Sequence, residues 1–142
     1  MRTAQAARAN GPVARVITRH RDRLLADSRA FTEASLALAK RTADGSTALN
    51  APTRETSAAL TALKTWRTHV HNTRAAVQLT PAGAVGRAAA TRWLVELEQA
   101  LVLTTQALSL TDPASAADAG KRAHAAFSSA HRLRGTLDKA IG

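Results

Sequence analysis

The sequence predicts an all-α protein, folded as an antiparallel up-down-up-down four-helix bundle. Two features of composition favour it. The four prolines stand only at positions 12, 52, 81 and 113, so they punctuate long stretches that contain no helix breaker. Aromatic residues, which favour strands, make up only 3% of the chain. A third observation is the recurrence of apolar residues at helical spacing inside each stretch.

The length of 142 residues suits one domain, predicted over residues 13–142 after an N-terminal arm of residues 1–12. Pro12 opens the first helix. Thr80–Pro81 and Asp112–Pro113 each put an N-cap residue before a proline at the first helical position, which starts the third and fourth helices. The predicted helices cover 13–43, 53–79, 82–110 and 113–140, and residues 43–53 form the one long loop.

Each predicted helix carries an apolar stripe that would face a common core. The short second and third connections make neighbouring helices antiparallel. The stripes are Ile17, Leu24, Phe31 and Leu38 in the first helix, Leu60, Leu63, Trp66, Val70 and Val77 in the second, Leu94, Leu97, Leu101 and Leu108 in the third, and Phe127, Ala130, Leu137 and Ile141 in the fourth.

The third helix is apolar on more than one side. Either it lies centrally in the bundle, or its second side contacts another protein subunit. The second interpretation predicts a partner surface formed by Trp93, Val95, Val102, Leu103 and Leu110.

Composition excludes several classes of function. The chain has no cysteine, so disulfides, zinc-thiolate sites and thiol catalysis are ruled out. It has no secretory pattern and no apolar run of about 18 residues, and we expect a cytoplasmic protein. His69 and His71 diverge on a helix, as do Glu96 and Glu98, so neither a metal site nor an acid–base carboxylate pair is expected. We therefore expect a non-enzymatic protein without cofactor or metal.

The net charge of +10 predicts a polyanionic partner. Of the 20 basic residues, 20 − 4 = 16 are arginine, which binds phosphate through a planar fork. No acidic residue lies between Glu55 and Glu96. Three-four spacing puts four residues of that span on one face of the second helix, where a phosphate backbone would relieve their mutual repulsion. These are Lys64, Arg67, His71 and Arg74.

Antiparallel topology would gather further cations at one end of the bundle. In the first helix, part of the charge is expected to be neutralised by pairs one turn apart: Arg19 with Asp22, Arg23 with Asp27, and Arg29 with Glu33. The predicted surface binds the backbone of RNA or single-stranded DNA without reading its sequence, and it binds no membrane. Outside the second helix its residues are Arg15, Arg19, Arg21, Arg23, Arg87, Arg92, Arg132 and Arg134.

Three resemblances bear on function. Arg15-x4-His20 is similar to the Arg-x4-His pair of HEPN-type ribonucleases, although Val16 stands where that family has a polar residue. "AHRLRGTLDKAIG", from Ala130, resembles the box of histidine phosphotransfer domains, which implies His131 as phosphoacceptor and Arg134 in place of the usual lysine. The chain ends before the two helices that follow that box.

In helical class, size and charge, the chain also resembles the small helical subunits of CRISPR-Cas effector complexes. This resemblance implies a ribonucleoprotein subunit that lies along a guide–target duplex. The remaining alternative is a bundle that acts as a protein–protein scaffold.

Overall fold

The structure, a computed structural model, describes residues 11–43 and 54–141. Within these ranges there are four α-helices and no strand, which confirms the predicted all-α four-helix bundle. The predicted N-terminal arm up to residue 10 and the loop from residue 44 to 53 lie outside the described residues. The helices are α1 (Pro12–Ala43), α2 (Arg54–Gln78), α3 (Arg87–Ser109) and α4 (Pro113–Ile141).

Consecutive helices pack against each other in an antiparallel arrangement: α1 on α2, α2 on α3, and α3 on α4. Contacts between helices show the antiparallel direction, since positions that rise along one helix meet positions that fall along the next. The pairs are Asp27–His69 and Phe31–Trp66 between α1 and α2, and Gln78–Thr91 and Arg74–Glu98 between α2 and α3. Helices α1 and α4 do not pack closely along their backbones.

Most residues of the predicted stripes form the core, whereas Leu38 and Leu60 are only partly buried and lie outside the core cluster. Ile17 and Leu24 of α1 are buried with Leu63, Val70 and Val77 of α2. Leu94, Leu97 and Leu101 of α3 join them, together with Ala130, Leu137 and Ile141 of α4. Small residues allow close approach between α3 and α4, where Ala100 and Leu103 pack against Ala123 and Ala126. Burial of this apolar surface is the main stabilising contribution.

The third helix begins at Arg87, so the predicted start after Thr80–Pro81 was wrong. The Thr80 hydroxyl donates a hydrogen bond to the Val77 carbonyl at 2.5 Å. Thr80 therefore caps a carbonyl in the last turn of α2 and does not start α3. Gly86, with φ of 82°, stands immediately before α3. A Cβ at this position would clash with Cγ2 of Ile141, so the turn requires glycine for both its backbone angle and its space.

The fourth helix begins as predicted, with Asp112 as N-cap and Pro113 in the first turn. Oδ2 of Asp112 accepts hydrogen bonds from the Ser115 hydroxyl at 2.6 Å and from the Ser115 backbone N–H at 3.0 Å. These bonds to Ser115 favour the ionised carboxylate and lower the pKa of Asp112. The short connection before it brings α4 back antiparallel to α3.

The second apolar side of α3 is explained in large part by its position between α2 and α4. Trp93 and Leu103, which the sequence analysis assigned to a partner surface, are buried inside the chain's own core. Val102 is partly buried. Val95 and Leu110, at 40% and 44% exposure, remain accessible to another subunit.

Candidate nucleic-acid interface

The antiparallel register brings the start of α1, the start of α3 and the end of α4 to one end of the molecule. Val13, Leu137 and Ile141 all lie around the Cβ position of Gly86, which demonstrates this meeting point. The predicted cations near these helix ends therefore share one end of the bundle. They are distributed around its circumference, however, and form several separate groups.

The basic face of α2 forms one side of an open groove against α3. We call it the α2–α3 groove, and it has a volume of about 400 Å³. The core stripe of α2, which includes Leu63 and Val70, turns the neighbouring positions of the helix toward α3. The residues that line the groove are Lys64, Arg67, Thr68, His71 and Glu98.

The side chains of Lys64, Arg67 and His71 form no salt bridge or hydrogen bond within the described parts of the chain. Lys64 and His71 are exposed and Arg67 is half-buried. Their donors are therefore open to an anion that approaches along the groove. Phosphate oxygens would accept from all three side chains.

Arg74, the fourth predicted member of this face, is already paired. Its Nη1 donates to Oε2 of Glu98 at 3.0 Å. Glu98 is the residue that the sequence analysis missed, because it lies on the next helix, outside the acid-free span. The antiparallel register of α2 and α3 is the signal that could have found it. The groove thus offers the open donors of Lys64, Arg67 and His71, and one carboxylate that is engaged by Arg74.

A second basic group lies between α3 and α4, on the other side of α3. Arg92 and Arg132 line this depression of about 470 Å³ together with Glu96 and Ser129. Arg132 donates from Nη2 to the Ser129 hydroxyl at 3.2 Å. Arg92 forms no salt bridge with the described residues, although Glu96 lines the same depression. A polyanionic chain bound in the α2–α3 groove could therefore extend across α3 to Arg92 and Arg132.

The three predicted ion pairs on α1 are absent from the described residues, so that prediction was wrong. Asp27 turns toward the core, where it is 7% exposed and its Oδ2 lies 2.5 Å from Nδ1 of His69. Arg19 and Arg23 are exposed. Of the three acidic residues only Asp27 leaves the surface of α1, whereas Asp22 and Glu33 stay exposed on it.

His20 lies partly buried between α1 and α2, consistent with its place between Ile17 and Leu24 in the sequence. Burial lowers the pKa of His20, and the nearby charges of Arg19, Arg23 and His69 lower it further. Arg15 is exposed, and five positions on a helix separate two side chains by about 140° around the axis. Arg15 and His20 thus lie on different sides of α1.

Arg87 holds α2 and α3 together at their connection. Its Nη2 donates to the carbonyl oxygen of Gln78 at 3.2 Å and to Oε1 of the same residue at 3.1 Å. Its Nε is buried without a hydrogen-bond partner among the described residues. These contacts give Arg87 a role in the α2–α3 connection rather than an open phosphate contact.

Arg134 is directed along α4 and over an indole. Its guanidinium carbon lies 4.6 Å from the centre of the Trp93 ring, and its Nε donates to Oδ1 of Asp138 at 2.9 Å. The Arg134 guanidinium therefore already contacts Asp138 and Trp93, while a phosphotransfer box would have it assist His131. His131 itself is exposed on α4.

The two tryptophans are core residues. Trp66 and Trp93 are each 7% exposed, so neither offers an open ring face to a nucleic-acid base. Trp66 packs between Phe31 and Phe127, with ring centroids 6.1 and 5.9 Å apart. Any contact with nucleic acid in this region would be to the backbone.

Within the described residues, no group of three or more histidine or acidic side chains could hold a metal ion. None of the described helices is both long enough and apolar enough to cross a membrane. No family model matches the chain, and neither the curated proteins nor the solved structures include one that is significantly similar to it.

Proposed function

We propose that the protein binds the sugar-phosphate backbone of single-stranded nucleic acid without reading its base sequence, and that it does so without catalysis. The observation that carries the proposal is the α2–α3 groove, where Lys64, Arg67 and His71 present donors with no partner among the described residues. A bound phosphate chain would release counterions from these side chains and from the +10 chain as a whole.

The distribution of charge supports backbone contact over base readout. Cations line grooves on both sides of α3, so a flexible chain could cross the helix between Arg67 and Arg132. Both indoles are buried, which removes the common stacking platforms for bases. We place Lys64, Arg67, His71, Arg92 and Arg132 as the principal phosphate contacts. The exposed arginines of α1 add long-range attraction.

We further propose that the protein acts as one subunit of a ribonucleoprotein assembly, as its resemblance in size and charge to CRISPR effector small subunits suggests. Val95 of α3 and Leu110, the residue directly after α3, are exposed apolar side chains that another subunit could cover. Sedimentation velocity on a long single-stranded RNA checks this part. Copies that add side by side support an assembly, and single copies scattered along the RNA contradict it.

The central experiment is fluorescence anisotropy with a labelled, mixed-sequence single-stranded RNA, repeated with single-stranded DNA over a range of salt concentrations. The test variant combines Lys64→Gln, Arg67→Gln and His71→Gln. This variant removes two permanent cations, those of Lys64 and Arg67, and with them two phosphate contacts. We expect affinity to fall about 10- to 30-fold near 0.1 M salt, and the slope of log K against log salt to fall in magnitude by about one to two.

The chain supplies a matched control on α4. Lys121, Arg122 and His124 are the same three residue types, and all three are exposed. Their combined replacement by glutamine changes the net charge equally, so we expect a loss of affinity below about threefold. Absence of binding at low salt, or equal losses in both triple variants, would contradict the α2–α3 groove as the interface.

A further inference from the structure

A second groove lies between α1 and α4, the two helices that do not pack closely along their backbones. We call it the α1–α4 groove, and its volume is about 540 Å³. That volume is within the range of pockets that enclose small organic ligands. Its lining residues are Arg21, Leu24, Leu25 and Ser28 of α1, Trp66 of α2, Trp93 and Leu97 of α3, and Phe127, Ala130, His131 and Arg134 of α4.

The floor of this groove is part of the hydrophobic core. Trp66, Trp93 and Leu97 are each 7% exposed, and Phe127 packs against Trp66 with ring centroids 5.9 Å apart. Leu25 extends this apolar surface to the rim, where it is 46% exposed. An apolar group placed here would leave water itself and would cover the exposed part of Leu25, which is favourable.

The rim of the groove is cationic. Arg21 is exposed and forms no salt bridge with the described residues. Arg134 lies across the groove over the Trp93 ring, and its Nη atoms remain as donors because only its Nε is engaged by Asp138. His131, also on the rim, adds an imidazole. The indole Nε1–H of Trp66 is buried without an acceptor among the described residues.

We propose that the α1–α4 groove binds a small amphipathic carboxylate: an apolar body on the aromatic floor and one anionic head between Arg21 and Arg134. The length of the groove sets the size of the body. From Arg21 to Ser28 a helix rises by about 10 Å, which matches a medium alkyl chain and is short for a partner helix. The cationic rim selects an anion over a neutral or cationic head.

This site goes beyond the nucleic-acid interface and is independent of it. Among the described residues, the α2–α3 groove is bordered by cations and has no tryptophan or phenylalanine in its lining, whereas the α1–α4 groove combines an aromatic floor with arginine on both sides. The described parts of the two grooves share no lining residue. The residues that line one groove can therefore be replaced without changing the lining of the other.

The two tryptophans of the chain both line this groove, so their fluorescence reports directly on its occupant. The experiment titrates the full chain with decanoate, below the concentration at which decanoate forms micelles, and follows the intensity and wavelength of emission. Decanol and decyltrimethylammonium serve as neutral and cationic probes of equal chain length. We expect saturable binding of decanoate, with decanol about tenfold weaker and the cation weaker still.

The variant that tests the head-group contact is Arg21→Gln, and Arg29→Gln is its control on an exposed part of the same helix outside the groove. Arg21→Gln should weaken decanoate about tenfold and leave decanol unchanged, because it removes one charge-assisted contact. Arg29→Gln should bind decanoate as the unaltered chain does. Circular dichroism establishes that both variants keep their helices.

The glutamine triple variant at Lys64, Arg67 and His71 separates this proposal from the proposed function, since it should lose RNA affinity and keep decanoate affinity. Equal binding of decanoate and decanol, without any effect of Arg21→Gln, would show that the groove takes up apolar chains without recognising the carboxylate. That result would overturn the proposal. So would failure of decanoate to perturb the tryptophans. A response only to an acidic amphipathic helical peptide would overturn it in favour of a protein partner.

Discussion

The α2–α3 and α1–α4 seams of this bundle are built from the same kinds of helix, and they expose different chemistry. Helices α2 and α3 are joined by a short connection and pack closely. Solvent therefore reaches only the side chains that flank their contact, including Lys64 and Arg67. Helices α1 and α4 have no direct connection and do not pack closely along their backbones. Their seam opens onto the aromatic core.

The difference shows how connectivity decides what a bundle can bind. A closed seam buries its apolar stripe and leaves the polar positions beside it, which suits a charged polymer. An open seam leaves part of the stripe in reach of water, which suits a ligand with an apolar body. The same chain thereby carries a groove for charge on one seam and a groove for apolar groups on the other.

Two leucine substitutions test this contrast most strongly. Leu94→Ala removes a side chain that is fully buried on α3, so we expect the free energy of unfolding to fall by about 2 to 5 kcal/mol. Leu25→Ala removes a side chain that is 46% exposed at the open seam, so the loss should stay below about 1 kcal/mol. Urea denaturation of both variants measures the two values. Equal losses would show that α4 closes over Leu25 in solution.

The next test concerns the turn that joins the closed seam. Gly86→Ala places a methyl group against Ile141 and forces alanine into a left-handed backbone conformation. We expect a loss of about 2 to 4 kcal/mol from overpacking and strain together. Gly83→Ala is the control in the same turn, because a Cβ there meets no atom within 4 Å and its φ is not positive. Thermal unfolding should leave Gly83→Ala within about 1 °C of the unaltered chain.

If both glycine variants unfold together with the unaltered chain, the contact between the start of α3 and the end of α4 is not a fixed part of the fold. In that case the predicted gathering of cations at this end of the bundle loses its structural basis. If Gly86→Ala alone unfolds early, the joint is as tight as the position of Ile141 indicates.

The helices and their core stripes could be predicted from the sequence because they depend on local spacing. Residues such as Leu63, Val70 and Leu137 repeat at helical intervals, and each is buried. The start of α3 could not be predicted in the same way. Thr80–Pro81 has the chemistry of a helix start, but the position of Gly86 depends on Ile141, which is remote in sequence.

The candidate site shows the same division between local and remote information. The shared face of Lys64, Arg67 and His71 follows from spacing within one helix. Its carboxylate neighbour, Glu98, lies on the facing helix α3. Predicting this neighbour would have required the register of α2 against α3. Asp27 was expected to pair with Arg23 on its own helix, yet it pairs with His69 of α2, because burial against a partner favours the interhelical hydrogen bond over an exposed ion pair.

The smallest effect we expect is the pH dependence that His20 adds at the packed seam between α1 and α2. Its pKa in the folded chain lies below the ordinary value of 6.5, because burial and the charges of Arg19 and Arg23 disfavour the protonated ring. The unfolded chain therefore takes up this proton first as pH falls through 6.5, and stability declines until pH passes the lower folded pKa. Above 6.5 the imidazole is neutral in both states and His20 contributes no slope. His20→Gln should flatten this part of the stability curve below pH 6.5, measured by urea denaturation at each pH. His124→Gln, at an exposed position of α4, is the matched control and should keep the slope.

An unchanged slope in His20→Gln would mean that α1 separates from α2 enough to hydrate the ring, and that this seam is then as open as the one between α1 and α4.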